Sequence, residues 1–179
     1  MTPLRMLLAA LLFVQLGAAG EAAAQKKPDA KPTPAPAASP KAETSPIYDS
    51  EADGELTLKF YWDVCKRSGR YLIVFFGTND CVPCRAVNQG VFEDRFYREL
   101  VKQFVPAFID VSPGSANAEI PSRYGIDPKA PFPGVVIFDP GGQVKEVVGK
   151  GEMAEVARKG KETVQLWILA RFDRNKPPN

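Results

Sequence analysis

The sequence contains no histidine, and only three cysteines and two tryptophans among 179 residues. Without histidine, the Ser–His and Cys–His arrangements of hydrolases are excluded. Zinc and copper sites of the usual Cys/His kind lack their ligands, so no metal is expected. Cys84 is followed by Arg85, which rules out the Cys-x-x-Cys-His attachment of haem. Three cysteines are too few for a disulfide scaffold. No run of lysine and arginine marks a nucleic-acid surface. No apolar stretch reaches the roughly 20 residues of a stable membrane span.

The N-terminal part divides by composition. Residues 1–24 read as a secretory signal: Arg5 gives the positive start, Met6 to Leu16 the apolar core, and Ala22-Ala23-Ala24 a small-residue cleavage site. The expectation is export to a periplasm, with the leader removed; the alternative is a leader kept as an uncleaved N-terminal anchor. No cysteine lies near the cleavage site, so a lipid anchor is not expected. Residues 25–46 alternate proline with Ala, Lys and Thr, a composition that extends rather than packs. Residues 47–174 are expected to form one domain with a real core, and 175–179 a frayed tail. Residues 47–179 hold 18 Lys plus Arg and 18 Asp plus Glu; the chain's +2 comes from the linker.

Within the domain, helical spacing of Leu56, Phe60 and Val64 predicts a helix over 54–67, ended by Ser68-Gly69. Tyr71 to Phe76 is an unbroken apolar run and reads as a buried strand. Val82 to Gln89 reads as helix, with Gly90 interrupting or bending it, and Phe92 to Phe104 as a second amphipathic stretch. Phe104 to Val111 and Val135 to Phe138 read as strands. Between them, 116–124 suggests a short helix weakened by Pro121. Asp139-Pro140-Gly141-Gly142 is a turn, with Gln143 to Val148 returning. A last helix is expected over 152–171, with Gly160 its weak point. The fold class is therefore α/β: a mixed central sheet, parallel at the start and antiparallel at the end, with helices on both faces.

The chemistry concentrates in Cys81-Val82-Pro83-Cys84, directly after the first strand. Two thiols stand at a strand-to-helix turn, where the N–H groups of the helix end favour thiolate over thiol. Cys81 is the candidate nucleophile and Cys84 the partner that closes a disulfide with it. Pro83 starts the helix and removes one N–H that could otherwise reach a thiolate. Cys65 reads as a small buried hydrophobe on the first helix.

The order of elements, Cys81-Val82-Pro83-Cys84, Phe132-Pro133 before a strand, Tyr124-Gly125-Ile126 and the Asp-Pro-Gly-Gly turn together resemble the thioredoxin superfamily, over roughly residues 50–172. Val91-Phe92-Glu93-Asp94 and Ile109-Asp110-Val111 resemble its exported thiol:disulfide interchange domains. The resemblance implies that Pro133 is a cis-proline facing the cysteines, and that Phe132 and Pro133 join Asp80 and Pro83 in contacting the partner. It implies a protein-disulfide oxidoreductase with no cofactor beyond its own cysteine pair. Protein thiols and disulfides would be its partners, with a membrane electron-donor protein a further candidate, and it would act as a monomer. The direction expected is reduction; no dimerisation module of the kind isomerases use is visible. Three positions depart from the family pattern. Asp80 replaces a tryptophan, and its charge opposes a neighbouring thiolate unless Arg85 offsets it. Phe75 occupies the place of a buried acid. Asp127 to Pro131 is a short insertion near the site. Asp80 and Phe75 favour the rival reading, a non-catalytic binding module with a structural disulfide.

Overall fold

The computed structural model describes residues 45–172. The expected leader, all of the expected linker but residues 45 and 46, and the tail lie outside the described residues, as do the last two residues of the expected domain.

The first helix, α1 (Gly54–Ser68), is capped by Asp53, whose carboxylate accepts the N–H groups of Glu55 and Leu56. It leads into β1 (Tyr71–Gly77), every residue of which is buried. Next come α2 (Val82–Val91), α3 (Asp94–Gln103) and β2 (Phe104–Asp110). A short α4 (Ile120–Arg123) precedes the hairpin of β3 (Gly134–Phe138) and β4 (Val144–Val148). Two helices, α5 (Glu152–Arg158) and α6 (Lys161–Phe172), close the described chain. The sheet order is β2-β1-β3-β4, with β1 and β2 parallel and β3 antiparallel to both its neighbours, β1 and β4. The mixed sheet expected from the sequence is thus present. Pro106, which lacks a ladder donor, lies in β2, at the sheet's edge.

Because β1 sits inside the sheet, its alternate side chains feed two separate cores. Tyr71, Ile73 and Phe75 pack with Val87 and Val91 of α2, Leu100 of α3, Met153 of α5 and Ile168 of α6. Leu72, Val74 and Phe76 pack with Leu58 and Cys65 of α1 and with Ile120 of α4. Each such side chain contributes about 1.5–3 kcal/mol on burial. These two layers hold the end of β1, and hence the start of α2, in a fixed place.

Three elements differ from expectation. Gly90 does not interrupt α2, which runs on to Val91. Its missing side chain is used for packing: a Cβ there would lie 3.1 Å from the Lys161 carbonyl oxygen and 3.3 Å from Val164 Cβ. The terminal helix is two helices. Gly160 separates them with φ +107°, a conformation that L side chains rarely adopt. The short helix expected over 116–124 contracts to the single turn of α4, with Pro121 in its first turn, where its missing N–H costs nothing.

Candidate functional site

β1 delivers the chain to a four-residue loop, Thr78 to Cys81, and α2 begins at Val82. Cys81 is the N-cap of α2. Its sulfur accepts the Cys84 N–H at 3.1 Å, and its carbonyl oxygen accepts the Arg85 N–H at 3.3 Å. Pro83 sits in the first turn and offers no N–H. One backbone donor therefore points at the Cys81 sulfur, and the N-terminal end of a ten-residue helix lies behind it. Cys81 and Cys84 form a disulfide, with S–S 2.02 Å and Cα atoms 5.2 Å apart.

The two sulfurs differ in access. Cys81 is half-buried, whereas Cys84 is fully buried. Val82 between them is 76% exposed, an apolar side chain held out beside the accessible sulfur. Across from the helix tip, the Phe132–Pro133 peptide bond is cis. The Phe132 carbonyl oxygen stands 3.5 Å from Cys81 Sγ. Pro133 is buried and Phe132 half-buried. Phe132 also lines a cleft of about 200 Å³, whose other walls are Val111, Pro113, Ala118, Glu119, Pro121 and Pro128.

Asp80 is exposed. Arg85 turns back instead to the loop, donating to the Asn79 carbonyl oxygen at 2.8 Å. Phe75 is fully buried and stacks on Phe108 with ring centroids 5.0 Å apart. The stretch Asp127 to Pro131 is a tight turn, in which Asp127 accepts the N–H groups of Lys129 and Ala130. It is tied to the sheet by the Asp127 N–H donating to the Gly149 carbonyl oxygen at 3.1 Å. Cys65 is fully buried in the α1 layer, and burial pushes its thiol up to about 11, against a smaller opposing pull from Arg70.

The structure also brings in residues that the sequence reading passed over. Asn79 accepts the N–H groups of Ile47 and Tyr48 and donates to the Tyr48 carbonyl oxygen at 2.9 Å. This clamps the segment before α1 against the loop that carries Cys81. Tyr48 is thereby buried, its ring edge-on to Phe108 at 5.8 Å. Its hydroxyl enters the space left by Gly77, beside Cys84. Asp110, paired with Gly77 across β1 and β2, is buried as well and accepts the Ser112 N–H and hydroxyl. No spacing in the sequence links residue 48 to 77, 84 or 110; only the apolar-aromatic start Ile47-Tyr48 could have hinted at a packed segment.

Comparison with known proteins agrees with this architecture. Residues 62–140, which include both cysteines and Pro133, match the Thioredoxin-like family model. A disulphide isomerase from Xylella fastidiosa Temecula1 is 28% identical, with a TM-score of 0.64 over 70% of this chain and 95% of its own. A thioredoxin from Fasciola hepatica is 21% identical over 66% of this chain and 91% of its own, with a TM-score of 0.45. No curated protein matches the sequence. The domain has a thioredoxin-like α/β fold, with a four-stranded mixed sheet, flanking helices and a disulfide of Cys-x-x-Cys spacing.

Proposed function

We propose that this protein is an exported thiol:disulfide oxidoreductase that reduces disulfides in partner proteins through Cys81 and Cys84. The observation that carries the reading is the inequality of the two sulfurs. One is accessible at a helix N-terminus with a backbone N–H on it; the other is buried and already bonded to the first. A purely structural disulfide gains nothing from that asymmetry.

In the proposed cycle the reduced Cys81 thiolate attacks a partner disulfide. The helix end and the Cys84 N–H stabilise the thiolate over the thiol. A mixed disulfide forms and one partner sulfur leaves. Cys84 then attacks Cys81 Sγ, which closes the internal disulfide and releases the partner reduced. A membrane electron donor would return the pair to the dithiol. Val82, Pro83, Asp80, Phe132 and Pro133 ring Cys81 and form the proposed contact surface for the partner polypeptide. The cysteine pair is the redox group, and the protein is proposed to act as a monomer in the periplasm.

Turbidity of insulin in the presence of dithiothreitol tests this reading. Wild-type protein should accelerate insulin precipitation, and a Cys81→Ser/Cys84→Ser variant should not. Equal rates for the two would leave a binding module with a structural disulfide. The similarity to a disulphide isomerase supports a second reading, reshuffling of wrong disulfides. Recovery of activity by scrambled ribonuclease distinguishes it from net reduction. A Cys84→Ala variant should hold its partners as mixed disulfides on Cys81, identifiable by mass spectrometry.

A further inference from the structure

Gly77 is the last residue of β1, on the sheet face covered by α2. A Cβ at Gly77 would lie 2.4 Å from Tyr48 Oη and 2.7 Å from Cys84 Sγ. Both atoms converge on one point, which holds them within about 5 Å of each other, a gap closed by a small rotation or one water. Asp110 pairs with Gly77 in parallel register, so its side chain leaves the sheet on the same face.

Tyr48 is 1% exposed, and its hydroxyl has no hydrogen-bond partner. A buried hydroxyl without a partner is destabilising, and phenylalanine would fill the same space without that penalty. Burial, and secondarily the charge of Asp110, push the phenol far above its ordinary range. It therefore stays protonated and can act only by donating its hydrogen or by accepting one, never as a phenolate base. Cys84 has no exposure, so a thiolate formed there has no bulk water to solvate it. Phe75, on the same face and two pairs earlier in the ladder, supplies no polar atom.

We propose that Tyr48 is a positioning residue for Cys84, whose hydroxyl donates a hydrogen bond to the Cys84 sulfur once the pair is reduced. The inference rests on the thiol–disulfide reading above and assigns the group that readies the buried cysteine. In the step concerned, Cys84 loses its proton and its thiolate attacks Cys81 Sγ. The Cys81–Cys84 bond forms and the Cys81–partner bond breaks. The bonding pair goes to the partner sulfur, which leaves reduced and takes up one proton, balancing the one Cys84 released. Tyr48 keeps its own proton throughout. In the disulfide state the Cys84 sulfur is a poor acceptor, which accounts for the orphaned hydroxyl.

The test is Tyr48→Phe, which preserves the ring, in two backgrounds. With Cys81→Ser, the Cys84 thiol is titrated by thiolate absorbance; the phenylalanine should raise its midpoint by about one unit, a tenfold smaller thiolate fraction near neutral pH. Asp110 on β2 and Arg85 on α2, the charged groups of the neighbouring elements, are unchanged in both proteins. With both cysteines present, resolution of a preformed mixed disulfide should slow about tenfold while the first attack by Cys81 keeps its rate. Thermal stability should not fall, since an unpaired hydroxyl is removed. An unmoved midpoint and an unmoved resolution rate overturn the proposal. A shifted midpoint in a protein that reduces no insulin upholds the hydrogen bond and sinks the oxidoreductase reading instead, because the titration needs no partner.

Discussion

Replacing Gly77 by alanine probes the packing on which the site is built. The added methyl would enter space already held by Tyr48 Oη at 2.4 Å, Tyr48 Cζ at 2.8 Å and Cys84 Sγ at 2.7 Å. Contacts this short force a neighbour to move. Neither can do so freely: the sulfur is in a disulfide, and the backbone of Tyr48 is held on both sides by the Asn79 amide. Overpacking of a filled core costs about 1–3 kcal/mol. At roughly 3–6 °C per kcal/mol for a domain of this size, Gly77→Ala should lower the melting temperature of the oxidised protein by roughly 5–15 °C. Urea unfolding followed by circular dichroism should show the same loss as a lower midpoint with an unchanged slope. Adding Tyr48→Phe removes the nearest atom but leaves the ring carbon, so the double variant should recover about 0.5–1 kcal/mol, a coupling expected of residues in contact. A Gly77→Ala protein that melts with the wild type would refute the argument, since the space would then be empty. Loss without any coupling to Tyr48 would place the whole clash on Cys84.

Two further outcomes follow from the same structure. In the oxidised native protein Cys65 is the one thiol left among the described residues, fully buried and raised to about 11; a thiol reagent at about pH 8 should find no reactive group until the protein is unfolded, and then one. Glu93 caps α3, its carboxylate accepting the Phe96 and Arg95 N–H groups, and the Phe96 bond above all holds it below its ordinary 4.5. A carboxyl depressed in the folded state adds stability that is full above the unfolded value and is lost as pH falls through the folded one. Glu93→Gln should therefore lower the melting temperature near neutral pH, and the gap should close as the pH drops below that depressed value.

The strands were legible because burial writes itself into composition. Tyr71 to Phe76 is an unbroken apolar run, and β1 is indeed buried on both faces between two layers of helices. The hairpin of β3 and β4 was legible in its Asp-Pro-Gly-Gly turn, where the Gly142 N–H donates to the Asp139 carbonyl oxygen. Glycine was harder to read, because the same residue serves opposite ends. Gly160 breaks a helix through its positive φ, while Gly90 stays inside one and lets α6 approach. Local propensity does not distinguish a glycine chosen for its backbone from one chosen for its lack of side chain.

Sequence alone determined where reactive sulfur would stand, since a cysteine pair at a strand-to-helix junction meets the field of a helix end wherever the rest of the chain goes. It also determined that no imidazole takes part. Tertiary structure alone decided which sulfur is reachable, that Phe132 meets Cys81 from 51 positions away, and that Tyr48, clamped by Asn79, shares the hollow at Gly77 with Cys84. Those facts depend on pairings between distant segments, made by sheet register and by the closing of loops, and no local pattern of residue types encodes them.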